Sequence, residues 1–156
     1  MNMHSEFLRY AIDLARQNVA DGGGPFGAIV VKDQRIIASS ANRVTPNLDP
    51  TAHAEIMAIR LACQQTGDFQ LPDCTLYTSC EPCPMCLGAI YWARLKDVYY
   101  ACNRFDAAAA GFDDSFIYDE IPKKPALRNI AMHYLKIPEA DSPFEAWNRL
   151  ETKIRY

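Results

Sequence analysis

A Cys-x-x-Cys pair, Cys83 and Cys86, is the first group in this sequence whose spacing could support chemistry. The pair stands where a helix over residues 82–93 is predicted to begin. Side chains three positions apart lie on one helix face, so both sulfurs can reach one ion. The positive end of the helix also favours thiolates. Taken alone, the pair is equally compatible with a structural zinc site, a redox dithiol or two buried thiols.

A histidine precedes this pair by thirty positions, at His53, and a glutamate follows two positions later, at Glu55. One imidazole and two thiolates give a metal three protein ligands and leave the open fourth position that a catalytic zinc requires. The other histidines, His4 and His133, stand in no ligand-like pattern. Cys80 adds a third nearby cysteine, but no fourth follows at the spacing of an iron–sulfur site. The predicted zinc ligands are His53, Cys83 and Cys86.

The spacing of His53 and Glu55 raises a geometric difficulty. Residues two apart on an ideal helix point roughly to opposite sides, which would turn Glu55 away from a metal bound by His53. A histidine in the cap region, ahead of the first turn, would let the longer glutamate bend toward the same ion. The sequence leaves this arrangement open beside a plainer role, in which Glu55 is a carboxylate that stabilises a helix N-terminus.

The elements that must position these residues follow from hydrophobic periodicity and from turn residues. Apolar residues at helical spacing and β-rich runs alternate along the chain, and Gly67 is placed to end the helix that contains Glu55. The predicted helices are 5–20, 53–66, 82–93 and one from Ser142 toward Lys153, and the predicted strands are 28–31, 36–39, 74–79, 97–101 and 130–136. We therefore predict an α/β fold, a three-layer α/β/α sandwich with a mixed central sheet of about five strands.

Composition limits the partners of such a fold. The 156 residues, 49% of them hydrophobic, fit one domain over residues 1–156. A formal net charge of -3 lacks the positive field of a protein that holds a nucleic-acid backbone, so a small substrate is expected and no nucleic acid. No apolar stretch is long enough for a bilayer, and no export signal is visible. The cysteines are then expected to be reduced, in a cytoplasmic protein.

Together, the order of these motifs resembles a known family. His53-Ala54-Glu55 followed by Pro82-Cys83-x-x-Cys86 is similar to the signature of the cytidine and deoxycytidylate deaminase superfamily. The similarity continues at Asn42 and in residues 24–28, 50–55 and 76–82, and it covers about two thirds of the chain. It implies a cytidine deaminase-like fold and a zinc-dependent hydrolase, in which Glu55 moves the protons.

Longer segments narrow the resemblance. Residues 49–53, 77–94 and 111–118 are similar to bacterial guanine deaminases of this superfamily. This similarity implies hydrolysis of guanine, a purine base, to xanthine and ammonia. The motif itself leaves open a tRNA adenosine deaminase and a cytosine or nucleoside deaminase. The sequence also leaves open a binding module that is not an enzyme, in which zinc only stabilises a loop.

Candidate substrate contacts come with this resemblance, and most of them compete with a structural role. Phe26 could stack on a purine or belong to the core. Asn42 could pair with a base edge or cap a turn. Backbone groups near Ala54 could hold the base, and Asp114 could accept from purine N–H groups or be an exposed loop carboxylate.

The end of the chain carries a further expectation. A helix opened by Ser142 and containing Trp147 needs a surface that buries the indole, although chain ends are commonly frayed. The resemblance implies a homodimer in which segments of about residues 141–156 are exchanged between subunits. In that arrangement Tyr156 would contact the purine in the neighbouring pocket.

Overall fold

Four strands form the central sheet of the computed structural model, which describes residues 2–156. These residues form two compact units, one ending at Asp114 and one beginning at Ser115. The elements of the first unit are α1 (Met3–Ala20), β1 (Gly27–Lys32), β2 (Arg35–Ala41), α2 (Val44–Asn47), α3 (Ala54–Thr66), β3 (Thr75–Cys80), α4 (Pro84–Trp92), β4 (Asp97–Cys102) and α5 (Arg104–Ala109).

The sheet is mixed, with strand order β2-β1-β3-β4. Strand β1 is antiparallel to both β2 and β3, whereas β3 and β4 are parallel. Parallel neighbours need a crossover connection, and α4 lies in the one between β3 and β4. The predicted hairpin is confirmed: Asp33 and Gln34 join β1 to β2 with φ angles of 49° and 61°. Two such residues are what a two-residue type I′ turn requires.

The two faces of the sheet bury separate apolar clusters. Ala28 and Val30 pack with α3, while the alternate residues Ile29 and Val31 pack with α1 and Tyr77. Successive side chains of a strand point to opposite faces, so helices on both sides produce this division. The predicted α/β/α layering is confirmed. Gly27 permits α1 to lie close to the sheet, because a Cβ there would stand 2.3 Å from the Ala11 carbonyl oxygen.

Helix α3 begins and ends close to the predicted positions. His53 is its N-cap, and Gly67 follows Thr66 as the C-cap with φ 69°, in the left-handed region that glycine adopts without strain. Five residues of α3 are buried, including Ala54 and Glu55. The helix is therefore held by burial against the sheet, and its N-terminus is fixed in place.

The second unit, residues 115–156, contains α6 (Ser115–Glu120), a 3₁₀ helix (Pro125–Leu127) and α7 (Ser142–Arg149). The predicted strand over residues 130–136 is wrong, because these residues are exposed and form no ladder, and the sheet has four strands rather than five. The apolar residues there are interrupted by His133 and show no clear period of two, so they do not specify a strand. Among the described residues, no helix has the length and apolar character needed to cross a membrane.

Candidate active site

Two helix N-termini carry the predicted ligands. His53 is the N-cap of α3, with φ -66° and ψ 153°, and Cys83 is the N-cap of α4, with φ -65° and ψ 169°. Neither side chain caps its own helix. Both remain available as ligands, and Cys86 joins them from the first turn of α4. The positive ends of two helices therefore meet the site, which favours thiolates.

The three predicted ligands lie together. The Nδ1 atom of His53 is 3.5 Å from the sulfur of Cys83 and 3.5 Å from that of Cys86, and all three ligand atoms lie within 4.8 Å of one another. Tetrahedral Zn²⁺, at about 2.0 Å from nitrogen and about 2.3 Å from sulfur, separates two such ligands by roughly 3.5 Å. The donor types and their spacing fit zinc, and a fourth position is left for a small molecule.

The three ligand groups shift one another's pKa values. Hydrogen bonds from Cys86 and from His53 hold the pKa of the Cys83 thiol at about 4, although burial opposes this shift. The pKa of Cys86 is raised, because its thiol donates to Cys83 and is itself buried. The hydrogen bond to Cys83 raises the pKa of His53. Without a metal, Cys83 is therefore the group held as a thiolate, and a divalent cation would displace the protons of the other two ligands on binding.

Glu55 stands beside this group without belonging to it. His53 is in extended backbone, ahead of the first turn of α3. The rule that side chains two apart on a helix point to opposite sides therefore does not apply to His53 and Glu55. The Glu55 side chain is 5% exposed, and its carboxylate hydrogen-bonds to Cys86, which contributes to the raised pKa of that thiol. The Thr78 hydroxyl donates to Glu55 Oε1 at 2.6 Å. A buried carboxylate next to three metal-type ligands is placed to exchange protons at the open position.

Asn42 directly follows β2 and is buried, with 7% of its surface exposed. Its Oδ1 accepts from the Val44 N–H at 3.1 Å, so the turn-capping role is present. Its backbone N–H donates to the Phe26 carbonyl, and its backbone carbonyl accepts from Asn18 Nδ2 at 2.7 Å. With Oδ1 engaged, the amide group of Asn42 offers a donor, Nδ2, to a ligand.

An aromatic pair and a carboxylate complete the predicted contacts of the first unit. The rings of Phe26 and Phe112 meet edge to face, with centroids 5.0 Å apart and an interplanar angle of 87°. Burial raises the pKa of the Asp114 carboxyl, and the negative charge of Cys83 raises it further, so Asp114 lies within electrostatic reach of the ligand group. Phe112 was not predicted from the sequence as a site residue. The feature that could have indicated it is its position directly before Asp113 and Asp114.

The remaining predicted residues differ in how the structure places them. Ala54 is fully buried at the first position of α3, where backbone N–H groups have no partner within the helix. Tyr156 ends the second unit, and its side chain is 72% exposed. His4 hydrogen-bonds to the Tyr77 hydroxyl at 2.7 Å and is outside the ligand group. His133 lies exposed in the second unit.

Residues 1–102 match the family model described as the cytidine and deoxycytidylate deaminase zinc-binding region. The chain belongs to this family of zinc-binding deaminases. Zinc is therefore its cofactor, and the clustered imidazole and two thiols are the groups that fit it.

Individual relatives cover different shares of the chain. A guanine deaminase of Bacillus subtilis is 57% identical over 154 residues, which are 98% of this chain and 99% of that protein. The X-ray structure of a Bacillus subtilis guanine deaminase matches with a TM-score of 0.97, covering 100% of this chain and 99% of that one. A tRNA-specific adenosine deaminase of Agrobacterium fabrum is 43% identical over 103 residues, 66% of this chain and 68% of that protein. A structure of guanine deaminase from Nitrosomonas europaea is 37% identical, with a TM-score of 0.66 over 69% of this chain and 63% of that chain.

Proposed function

We propose that this protein hydrolyses guanine to xanthine and ammonia. The observation that carries this proposal is that the similarity to a guanine deaminase extends over nearly the whole chain. The Bacillus subtilis guanine deaminase is 57% identical over 98% of the chain, whereas the tRNA-specific adenosine deaminase of Agrobacterium fabrum is 43% identical over 66%. The higher identity and the longer match together support guanine as the substrate.

Charge supports a small substrate as well. The chain has 16 basic and 19 acidic residues, a formal net charge of -3. Proteins that bind nucleic acid draw most of their affinity from basic residues that neutralise phosphates. A free purine carries no phosphate, so its recognition needs stacking and hydrogen bonds rather than a positive field. Guanine therefore suits this chain better than tRNA.

The zinc ligands in this proposal are His53, Cys83 and Cys86. Bound zinc supplies a Lewis acid that lowers the pKa of water to about 7, so hydroxide is available at neutral pH. Two thiolates balance the charge of the cation, and two helix N-termini face the same space. These three residues would thus hold the ion at one place, between the N-termini of α3 and α4.

Glu55 moves the protons. Its carboxylate takes a proton from the attacking water and gives it to N3 of guanine, beside C2, as the new C–O bond forms. It then passes the proton of the new hydroxyl to the departing amino group, so that the C2–N bond breaks and ammonia leaves. One water enters, and one ammonia and one xanthine result. The burial of Glu55 keeps bulk water from intercepting these protons.

Four groups of the first unit hold the purine. Asn42 donates from Nδ2 to the base edge, since Oδ1 is taken by Val44. Asp114 accepts from purine N–H groups. Phe26 offers its ring to the purine, with Phe112 supporting it edge to face. The backbone N–H at Ala54 supplies a further donor at the start of α3.

The second unit completes the site of a partner subunit in this proposal. No residue from 115 to 156 is buried, and large apolar side chains such as Leu135 and Phe144 are 77% and 68% exposed. Such side chains need covering, which supports a homodimer that exchanges its C-terminal segments, with Tyr156 over the neighbouring purine. Each chain remains one functional deaminase domain. The requirement for reduced cysteines agrees with a cytoplasmic location.

One assay tests the substrate. Ammonia release is measured from guanine, guanosine, adenine, cytosine, cytidine and deoxycytidylate, with zinc-loaded Glu55→Gln as the matched control. We expect guanine to have the highest kcat/KM and the control to release little ammonia. A preference for cytidine would overturn the guanine assignment and keep the zinc chemistry. No release from any of the six by the zinc-loaded protein would favour a binding module.

A further inference from the structure

A buried hydroxyl on the sheet contacts the carboxylate that moves protons. Thr78 lies in β3 and is fully buried, and its Oγ1 donates to Glu55 Oε1 at 2.6 Å. Hydrogen bonds to ionised groups are shorter and stronger than neutral ones. At this depth water does not readily replace a lost donor, so the orientation of the Glu55 carboxylate depends on Thr78.

The same hydroxyl has a second acceptor within reach, the carbonyl of Cys80, at 3.1 Å. A threonine hydroxyl has one hydrogen and can donate to only one of the two acceptors at a time. The contact to Glu55 Oε1 is the shorter of the two, 2.6 Å against 3.1 Å, so the hydrogen is assigned to Glu55.

The backbone around Thr78 leaves this hydroxyl little freedom. Thr78 pairs with Ala28 of β1 on one side and with Tyr100 of β4 on the other, in the interior of the sheet. A β-branched residue in a strand also has restricted χ1 rotation. The carboxylate it contacts stands on a different element, the first turn of α3. The contact thus joins the Glu55 carboxylate to the buried interior of the sheet.

We propose that Thr78 is a positioning residue that holds the Glu55 carboxylate in the orientation for proton transfer. The proposal rests on the proposed function of Glu55. Its effect belongs to the chemical step, because Thr78 acts through Glu55 and not through guanine. Removal of the hydroxyl should lower kcat and leave KM nearly unchanged.

The test compares Thr78→Val, which removes the hydroxyl at nearly constant volume, with Thr78→Ser, which keeps it. Thr75→Val, the same substitution at the half-buried start of β3, is the matched control. We expect Thr78→Val to lower kcat for guanine about 10- to 100-fold, as loss of a hydrogen bond to a charged group does. Zinc content and KM should stay close to wild type, and Thr78→Ser should recover most of the rate. Thr78→Ala replaces the valine variant if a methyl group against the carboxylate prevents folding.

A double mutant separates positioning from general damage to the fold. In the Glu55→Gln background, Thr78→Val should cause little further loss, because the group it positions is already disabled. The proposal is overturned if Thr78→Val keeps wild-type kcat, if Thr78→Ser is no better than Thr78→Val, or if the loss is undiminished in the Glu55→Gln background. A wild-type protein inactive on guanine would count against the proposed substrate instead, and the same ratios would be measured on the base that it does deaminate.

Discussion

The two units of this chain bury their apolar side chains to very different extents. Up to Asp114, two clusters on opposite faces of the sheet are buried, and Ile29 and Leu76 are fully enclosed. From Ser115 onward no residue is buried, and Tyr134 is 88% exposed. Burial of apolar surface is the dominant favourable contribution to folding. The first unit therefore supplies its own core, whereas the second presents apolar side chains that its own elements do not cover.

The two units therefore have different roles in the proposed function. The groups that would hold zinc and move protons stand on helices packed against the first core, where their positions are fixed. The groups proposed to close the pocket stand in a unit whose large apolar side chains are mostly exposed. Changes in the first unit should remove the chemistry, and changes in the second should alter access to guanine and the state of assembly.

The largest effect is expected from the metal ligands, which test whether the chemistry resides in the first unit. Cys83→Ala and Cys86→Ala should each lose zinc and nearly all guanine turnover, because two ligands rarely retain a catalytic ion. Elemental analysis and ammonia release measure the two losses. Cys63→Ala, a half-buried thiol outside the ligand group, is the control and should keep both. Full zinc and full activity in both ligand variants would mean that the site is assigned wrongly.

Glu55→Gln tests the first unit in a second way, because this variant should lose turnover while it keeps its zinc. The amide keeps the size of the side chain but cannot carry the proton, so turnover should fall by about 10² to 10⁴. Zinc content and thermal unfolding should stay close to wild type. Near-normal turnover in this variant would return Glu55 to the role of a helix-terminus carboxylate.

Deletion of residues 153–156 tests the second unit. We expect zinc to stay bound while guanine turnover falls by about tenfold or more, because the tail proposed to cover the neighbouring pocket and exclude water from it is lost. Sedimentation of the intact protein should show a dimer at micromolar concentration, and Tyr156→Ala should reproduce part of the loss. Dimers mixed from Glu55→Gln and truncated chains should regain activity if the tail serves the neighbouring pocket. A fully active truncation, or an active monomer, would contradict the exchange.

A smaller effect is expected at Asn42 and Asp114, the polar residues proposed to contact guanine at the pocket rim. Asn42→Asp keeps an oxygen that accepts from Val44 but removes the Nδ2 donor, so kcat/KM for guanine should fall about tenfold, and burial of the new carboxyl should also lower the free energy of unfolding. Asn47→Ala, an exposed asparagine in α2, is the control for removal of an amide. Asp114→Ala should also weaken guanine turnover more than folding. Unchanged kcat/KM in both rim variants would remove these residues from the binding site.

The sequence predicted the first unit well, because its local signals agree with its burial. The apolar run Ala28 to Val31, rich in β-branched residues, the turn at Asp33 and Gln34 and the stop at Gly67 each favour one conformation. The ligand motif likewise pointed to three residues that the fold brings together.

Three features were mispredicted or left open by the sequence, each for a physical reason. Residues 130–136 form an apolar run whose conformation is not set by burial within the chain, so the predicted fifth strand was wrong. The contact between Thr78 and Glu55 joins residues 23 positions apart on different elements, and no periodicity within either element encodes it. The cap position of His53, which removes the difficulty over Glu55, also depends on φ and ψ rather than on spacing.

The most direct test of zinc-dependent guanine hydrolysis follows the mass balance of guanine while zinc is removed and restored. The protein is treated with a chelator, assayed for xanthine and ammonia, and assayed again after one equivalent of Zn²⁺ is returned. We predict one xanthine and one ammonia for each guanine consumed by the zinc-loaded protein, loss of both products with the metal, and recovery on its return. Turnover that is independent of zinc, or a zinc-loaded protein that forms no xanthine from guanine, would contradict this function.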